Sequence, residues 1–375
     1  MDSSHPDTVE LDATGDLIDL WRAVCDAPSV SGDETALADA VERVLRGCAH
    51  LEVLRDGDAI VARTHLGRPH RVVVAGHLDT VPLTDPPNLP TRMEGEGEDA
   101  VLWGRGTVDM KGGLTVQLAL AVELTDPAVD VTWVFYDHEE VEAELNGLGR
   151  LVRHHPELLH GDFAILGEAT NAGIEGGCKG TLRVEVTTTG VAAHSGRPWM
   201  GTNAIHAAAE VLARLDAYEA REVDVEGLVY REGMSAVRIS GGIAGNVVPD
   251  RCTVTVNYRF APDKTLDEAI SHTRELFDGF DVVVTDAAPG ARPGLDAPLA
   301  QDFAAAVERL TGVEPAAKQG WTDVARFSTL GVPAVNFGPG DPLLAHKDDE
   351  HCPVSDVRTC HAALRAWLTG APADA

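Results

Sequence analysis

Four short apolar segments, spread along the chain and separated by helical patterns, restrict the fold more strongly than composition does. They are rich in β-branched and aromatic residues and end at polar ones, which is typical of strands buried on both faces. These segments are residues 72–75, 131–136, 163–166 and 334–337. Helical spacing marks residues 17–25, 34–45 and 112–124, and the polar residues 31–34 predict a side-chain cap for the second of these helices. Strands alternating with helices predict an α/β domain with a largely parallel sheet and helices on both faces.

A different pattern begins near residue 180. Residues 182–188 alternate apolar and polar side chains, as a half-exposed strand does. The following segments predict, in order, a helix (203–215), two strands (235–240 and 253–260), a helix (266–277) and a strand (282–285). This β-α-β-β-α-β order is that of a ferredoxin-like α+β unit. Because 375 residues exceed what one core usually organises, we expect a larger domain formed by residues 1–179 and 288–375, with residues 180–287 inserted into it.

The charge balance disfavours several classes of partner. The chain has 60 acidic residues against 30 lysines and arginines, whereas proteins that bind nucleic acid or anionic membranes need a cationic face. No apolar stretch is long enough to cross a bilayer, and no signal-peptide pattern opens the sequence. The six cysteines lie far apart, which fits free thiols in a reducing compartment. We therefore expect a cytoplasmic protein that binds neither nucleic acid nor membrane.

Side chains of the metal-ligand type follow three of the apolar segments and occur in two further polar loops. They are His77, Asp79, Asp109, Glu139, Glu140, Glu168 and His346. One such residue alone would indicate a cap or a solvated charge, but ligands bind at the carboxyl ends of strands in open α/β sheets, so we expect these residues to converge. Carboxylates crowded into one pocket repel each other unless cations compensate them. Imidazole and carboxylate ligands without thiolates predict two divalent ions, Zn²⁺ by preference, with Co²⁺ or Mn²⁺ as substitutes.

In this order the five segments resemble the motifs of the co-catalytic zinc aminoacylase and carboxypeptidase family, and the resemblance covers nearly the whole chain. It implies a dizinc amide hydrolase in which a hydroxide bridging the two ions attacks the substrate. The implied ligands are His77 and Glu168 for one zinc ion, His346 and Glu140 for the other, and Asp109 for both. Asp79 is implied to hold His77, and Glu139 to act as general base and acid. An ordinary strand would point Glu139 and Glu140 to opposite faces, so we expect a bend there, and the family pattern implies a cis peptide bond after Asp109.

The resemblance also assigns residues of the inserted domain. His194 is implied to donate to the tetrahedral oxyanion in the partner subunit of a homodimer formed through this domain, and Asn246 and Arg259 to bind the substrate. The residues alone favour a loop histidine for His194, and a turn asparagine and a surface arginine are the alternatives for Asn246 and Arg259. Lys179 is either a further anion contact or a surface lysine beside the domain boundary.

The expected substrate is a small-molecule N-acyl amino acid. Residues 318–327 and 337–342 are similar to one deacylase branch of the family, found in high-GC Gram-positive bacteria. The chain departs from the commonest pattern of that branch in two places, with His138 before the acid pair and Lys179 where paired arginines are frequent.

The sequence is consistent with other functions as well. The chain could be another deacylase or a dipeptidase or carboxypeptidase of the same family. A metal-binding relative without catalysis is disfavoured because Glu139 and Asp79 are both present, and a serine hydrolase because no G-x-S-x-G elbow follows a strand. His138 has no assigned role, and His351 is the alternative to His346 as a ligand.

Overall fold

The computed structural model describes residues 9–370, which divide into two compact units. Unit 1 consists of residues 9–176, Pro293–Ala316 and residues 326–370, and unit 2 of Gly177–Arg292 and Ala317–Ala325. The short segment Ala317–Ala325 lay in the larger domain of the sequence-based division. It groups with unit 2 because it is hydrogen-bonded there, from Lys179 N to Gly320 O at 3.2 Å and from Trp321 Nε1 to Pro289 O at 3.1 Å.

The helices and strands of both units are numbered here along the chain. The helices are α1 (Leu17–Asp26), α2 (Thr35–Arg46), α3 (Lys111–Glu123), α4 (Gly147–His154), α5 (Ala204–Asp216), α6 (Leu266–Leu276), α7 (Pro298–Thr311), α8 (Val324–Thr329) and α9 (Val354–Thr369). The strands are β1 (Glu52–Asp56), β2 (Ala59–Arg63), β3 (Arg71–His77), β4 (Arg92–Glu94), β5 (Val101–Trp103), β6 (Asp130–Tyr136), β7 (Phe163–Leu166), β8 (Glu175–Gly176), β9 (Gly180–Thr189), β10 (Ala193–His194), β11 (Glu222–Val225), β12 (Leu228–Arg231), β13 (Gly233–Gly241), β14 (Val247–Val248), β15 (Arg251–Phe260), β16 (Asp281–Ala288), β17 (Ala316–Ala317), β18 (Ala334–Asn336) and β19 (His351–Pro353). Among the described residues, no helix has the length and apolar character needed to span a bilayer.

The main sheet has the strand order β1-β2-β6-β3-β7-β18-β8-β17. Its central strands β6, β3, β7 and β18 run parallel, and β2 and β8 flank them in antiparallel orientation. Val72 and Val74 of β3 pack into the core formed with the helices, and the alternate residues Val73 and Ala75 are also buried. Because both sets of side chains are buried, both faces of the sheet are covered, as in other parallel sheets. The predicted α/β fold class is confirmed.

A second, small sheet in unit 1 was not foreseen from the sequence. It has the order β19-β5-β4, with Trp103 opposite His351 and Val101 opposite Pro353. This pairing joins two segments that are about 250 residues apart in the sequence, one just before the loop with Asp109 and one just after the loop with His346.

Unit 2 contains a four-stranded antiparallel sheet in the order β13-β15-β9-β16. Residues of β15 are alternately buried and half-buried, and the buried ones, such as Val254 and Val256, share a core with Ala208 of α5 and Ala269 of α6. The sheet strands and the two helices follow the chain order β9-α5-β13-β15-α6-β16. This confirms the predicted ferredoxin-like order. The edge strand β13 is exposed from Ser235 onwards.

Candidate metal centre

The carboxyl ends of three neighbouring parallel strands define the site. β3 ends at His77, β6 at Tyr136 and β7 at Leu166, and β3 lies between the other two. The residues directly after these ends therefore lie at one edge of the sheet. Of the seven ligand-type residues predicted from the sequence, six fall into small clusters there, and the seventh, Asp79, is in contact with them.

Two of these clusters share one residue, Asp109. Potential ligand atoms of His77, Asp109 and Glu168 all lie within 4.8 Å of one another, as do those of Asp109, Glu140 and His346. The carboxylate of Asp109 faces both ways. Its Oδ1 is 3.2 Å from Nε2 of His77, and its Oδ2 is 3.2 Å from Nε2 of His346. A carboxylate between two ligand sets has the arrangement that a bridging ligand of a dinuclear centre requires.

Asp79 contacts both His77 and the loop that carries the acid pair. Nδ1 of His77 lies 3.0 Å from the backbone oxygen of Asp79 and 3.4 Å from its carboxylate. That carboxylate accepts hydrogen bonds from the backbone N–H groups of Glu139 and Glu140, at 3.0 and 3.1 Å, and from the hydroxyl of Ser31 at 2.7 Å. Asp79 therefore fixes the position of the acid-pair backbone as well as that of the imidazole.

The bend expected at the acid pair occurs at His138, which has a φ of 58°. Left-handed backbone is uncommon for residues other than glycine and concentrates at functional sites. The turn is held by hydrogen bonds from His138 N to Glu34 at 3.1 Å and between His138 Nδ1 and Asp137 at 2.8 Å. His346 also has a positive φ, of 65°, and the peptide bond between Asp109 and Met110 is cis, as expected.

The electrostatics of the cluster favour added positive charge. Burial disfavours the charged form of His77, yet Asp109 and Asp79 raise the pKa of this imidazole well above its usual value. Hydrogen bonds to Asp109 and Glu140 raise the pKa of His346 to about 10. Burial and the charge of Asp109 raise the pKa of Glu140. The negative charges of these carboxylates favour the protonated forms of both imidazoles. Divalent cations would compensate the same charges directly. The donor set, imidazole and carboxylate without thiolate, fits zinc.

Three supporting residues were not identified from the sequence. The hydroxyl of Ser31 donates to Asp79 instead of capping α2, which has no side-chain cap, so that capping prediction is wrong. Glu350 accepts from the backbone N–H of Asp109 and pairs with Arg105. Glu350 follows His346 by four residues, but nothing in the local pattern distinguishes it from a solvated acid.

His351 lies in a different environment from His346. Its ring stacks on Trp103 with a centroid separation of 3.9 Å. His346 is the histidine whose Nε2 lies beside Asp109 and, at 3.0 Å, beside Glu140.

The four predicted site residues of unit 2 fall into two pairs. His194 is exposed, its Nδ1 accepts from Gly196 N at 2.9 Å, and the adjacent Ser195 N donates to the backbone oxygen of Asn246 at 2.9 Å. The Lys179 ammonium donates to the backbone oxygen of Arg231 at 2.6 Å, and burial and the charge of Arg259 lower its pKa. Burial and the charge of Arg183 likewise lower the pKa of Arg259.

The chain is similar over nearly its full length to known proteins. The chain is 51% identical over 363 residues to a Mycobacterium tuberculosis protein named "Putative succinyl-diaminopimelate desuccinylase DapE", covering 96% of this chain and 100% of that protein. It is 45% identical over 369 residues to the succinyl-diaminopimelate desuccinylase of Corynebacterium glutamicum, covering 96% and 98%. Among solved structures, aminopeptidase PepT from Bacillus cereus superposes with a TM-score of 0.77 at 17% identity, covering 96% of this chain and 98% of that one, so the likeness is one of fold. Residues 73–369 match the peptidase family M20/M25/M40. The chain belongs to peptidase family M20/M25/M40.

Proposed function

We propose that this hydrolase is a dizinc desuccinylase that converts N-succinyl-LL-2,6-diaminopimelate and water into succinate and LL-2,6-diaminopimelate. The observation that carries the proposal is the pair of ligand clusters joined by Asp109. The relatives in Mycobacterium tuberculosis and Corynebacterium glutamicum, at 51% and 45% identity, carry names with that activity. The resemblance of residues 318–327 and 337–342 to that branch supports the same substrate.

In this proposal His77 and Glu168 hold one zinc ion, His346 and Glu140 hold the other, and Asp109 binds both. Three carboxylates against two divalent cations leave one net positive charge at the centre. Bound zinc supplies a Lewis acid for the amide carbonyl and lowers the pKa of water. The contact of His77 Nδ1 with Asp79 orients the imidazole so that Nε2 faces the cluster.

Glu139 is the proposed general base and acid. Its carboxylate lies within 4.8 Å of ligand atoms of both His77 and Glu140, so it borders the centre. It takes a proton from the attacking water and returns it to the departing amine nitrogen. Asp79 holds the backbone N–H of Glu139, which keeps the base at this edge of the sheet.

The basic residues of unit 2 suit a substrate with three carboxylates. Across residues 9–370, the Arg259 guanidinium has no hydrogen bond or ion pair, although it is half-buried. A half-buried cation without a direct ion pair or hydrogen bond favours an anionic ligand. We propose that Arg259, Lys179 and Asn246 bind substrate carboxylates, which the net charge of −30 on the whole chain would otherwise repel.

A substrate panel with the zinc-loaded protein tests the function. We expect turnover of succinyl-diaminopimelate and negligible turnover of acetylornithine and dipeptides. The Glu139→Gln variant should lose turnover by a factor of about 10² to 10⁴ while its zinc content stays at the wild-type level. Glu142→Gln, an exposed acid in the same loop, is the matched control and should behave as wild type. Preferential hydrolysis of another panel member, or an active Glu139→Gln variant, would contradict the proposal.

We further propose a homodimer formed through unit 2, with His194 donating to the oxyanion in the partner subunit. The exposed edge strand β13 supports this, because it carries Val237 and Ile239, which are 58% and 51% exposed. Ile239→Lys should produce a monomer in analytical ultracentrifugation, whereas Val283→Lys on the opposite edge strand β16 should leave the dimer intact.

The trans arrangement has its own test. Mixing inactive His194→Ala and Glu139→Gln proteins should restore turnover, because a mixed dimer contains one site with both groups. If the mixture stays inactive although subunits exchange, His194 does not act across the dimer.

A further inference from the structure

Glu350 is a buried acid outside the proposed ligand sets. Its side chain is fully buried. Oε1 accepts hydrogen bonds from the backbone N–H groups of Val108 and Asp109, at 3.0 and 3.2 Å. Oε2 accepts from Nη1 of Arg105 at 2.8 Å. The Glu350 carboxylate therefore fixes the backbone of Asp109, whose own carboxylate is shared by the two ligand clusters.

Arg105 completes a link between two distant segments. The same Nη1 also donates to the backbone oxygen of Lys347 at 3.2 Å, the residue directly after His346. Gly104 N donates to the backbone oxygen of Glu350 at 3.0 Å. Together with the pairing of β5 and β19, these bonds join the loop of Asp109 to the loop of His346.

A general contribution to stability is a poor explanation for this pair. Taking two charges out of water costs several kcal/mol, so that a buried ion pair often stabilises a fold no more than apolar residues of the same volume would. Apolar residues could not accept hydrogen bonds from the backbone N–H groups of Val108 and Asp109. They also could not donate a hydrogen bond to the backbone oxygen of Lys347. The pair is placed where it sets the geometry of two ligands.

We propose that the Arg105–Glu350 ion pair is a positioning device that fixes the separation of Asp109 and His346 and thereby sets the affinity of the second zinc position, the one formed by Asp109, Glu140 and His346. This inference rests on the proposed metal centre. The ion pair contacts the loops of Asp109 and His346, and both of these residues belong to the second position. The first position contains only Asp109 of the two, so the second should depend on the ion pair more strongly.

Glu350→Gln tests the inference with little change of volume. One amide oxygen cannot accept from two backbone N–H groups and also from Arg105, so the geometry must relax. We expect the affinity of the second zinc ion to fall by about 10- to 100-fold, measured by chelator competition, with the first ion changed less than about threefold. The visible absorption spectrum of the Co²⁺-substituted protein should change in the bands of the second ion, which a loss of stability alone would not cause.

Asp130→Asn is the matched control. Asp130 is also a buried acid that accepts backbone N–H bonds, from Leu66 at 2.8 Å and Arg68 at 2.9 Å, and it faces Arg71 at 3.7 Å. It begins β6, at the opposite end of that strand from the acid pair. The control should lower the unfolding temperature without changing either zinc affinity or the Co²⁺ spectrum.

Arg105→Lys provides a second variant if Glu350→Gln does not fold, because it leaves both backbone N–H acceptors in place. It should shift the second zinc affinity in the same direction by a smaller factor. Wild-type affinities and spectra in the variants would overturn the positioning role, and so would an equal weakening in Asp130→Asn. A wild-type protein that binds fewer than two ions would instead refute the proposed metal centre.

Discussion

Replacing Gly113 with alanine sets helix propensity against packing. Gly113 lies in the first turn of α3, and its neighbour across the packing interface is Gly167, the residue before Glu168. A Cβ at position 113 would lie 1.9 Å from the backbone oxygen of Gly167, about 1.1 Å inside the 3.0 Å limit of real contacts. Because a backbone oxygen cannot rotate away, α3 and the end of β7 must separate.

The two effects have opposite signs and different sizes. Alanine is favoured over glycine in a helix by at most about 1 kcal/mol. Overpacking a buried contact costs about 1 to 3 kcal/mol, and a rigid backbone neighbour places this case at the upper end. We expect a net loss of about 2 kcal/mol in the free energy of unfolding. For a chain of 375 residues that corresponds to a decrease of about 2 to 3 °C in Tm.

The same displacement should affect catalysis. Asp109 lies just before α3 and Glu168 just after Gly167, so separating the two elements moves proposed ligands apart. A misplacement of about 1 Å costs about 100-fold in rate at a well-oriented site. We therefore expect kcat/KM of the zinc-loaded Gly113→Ala protein to fall by about that factor.

Thermal unfolding of the metal-free protein and steady-state kinetics of the zinc-loaded protein measure the two effects separately. Gly149→Ala in α4 is the control, because its new Cβ would meet Nη1 of Arg326 at 2.7 Å, the end of a flexible side chain. The control should be as stable as wild type or more stable. If Gly113→Ala is as stable and as active as wild type, the close approach of α3 to Gly167 does not limit the side chain at position 113.

Three further changes have definite expected results. Ser31→Ala removes a hydroxyl donor from Asp79, so kcat should fall about 10-fold, the lower end of the range for such supporting partners, while zinc content by atomic absorption stays unchanged. Burial alone would raise the pKa of Asp130, but hydrogen bonds led by that from Leu66 N lower it. Asp130→Asn should therefore lower stability in urea unfolding at pH 7, where the carboxylate is charged, and the difference from wild type should shrink as the pH falls below about 4. Lowering the pH from 7 to 5 should weaken zinc binding in calorimetry, because protons compete for His77 and His346, and pH-independent affinity would speak against imidazole ligands.

Much of the fold and of the site could be predicted because their signals are local in the sequence. Residues 72–75 were predicted as a buried strand, and β3 runs Arg71–His77, so the position of His77 at a strand end followed from an apolar run and the residues after it. The inserted unit was recognised in the same way, beginning with the alternation of residues 182–188, which lie in β9. Each of these patterns fits within one helix or strand.

What could not be predicted depends on contacts between distant segments. β4, β5 and β19 have three residues each, too few for a periodic pattern, and the pairing of β19 with β5 has no local signal. Residues 31–34, which include Ser31, predict a helix cap because polar residues before a helix usually have that role. The actual partner of Ser31, Asp79, lies 48 residues away.

The same limit applies to Glu350, because the family resemblance separates Asp79 from the ligands but no local pattern does so for Glu350. Asp79 and Glu350 both follow a predicted ligand histidine closely, by two and four residues. Each directs its carboxylate to two consecutive backbone N–H groups, those of Glu139 and Glu140 for Asp79 and those of Val108 and Asp109 for Glu350. An acid used in this way stabilises loop backbone and is unavailable as a ligand. The proposed ligand set then contains three carboxylates, which two divalent cations can compensate, whereas five would leave the centre with a net negative charge that resists the attack of an anionic nucleophile.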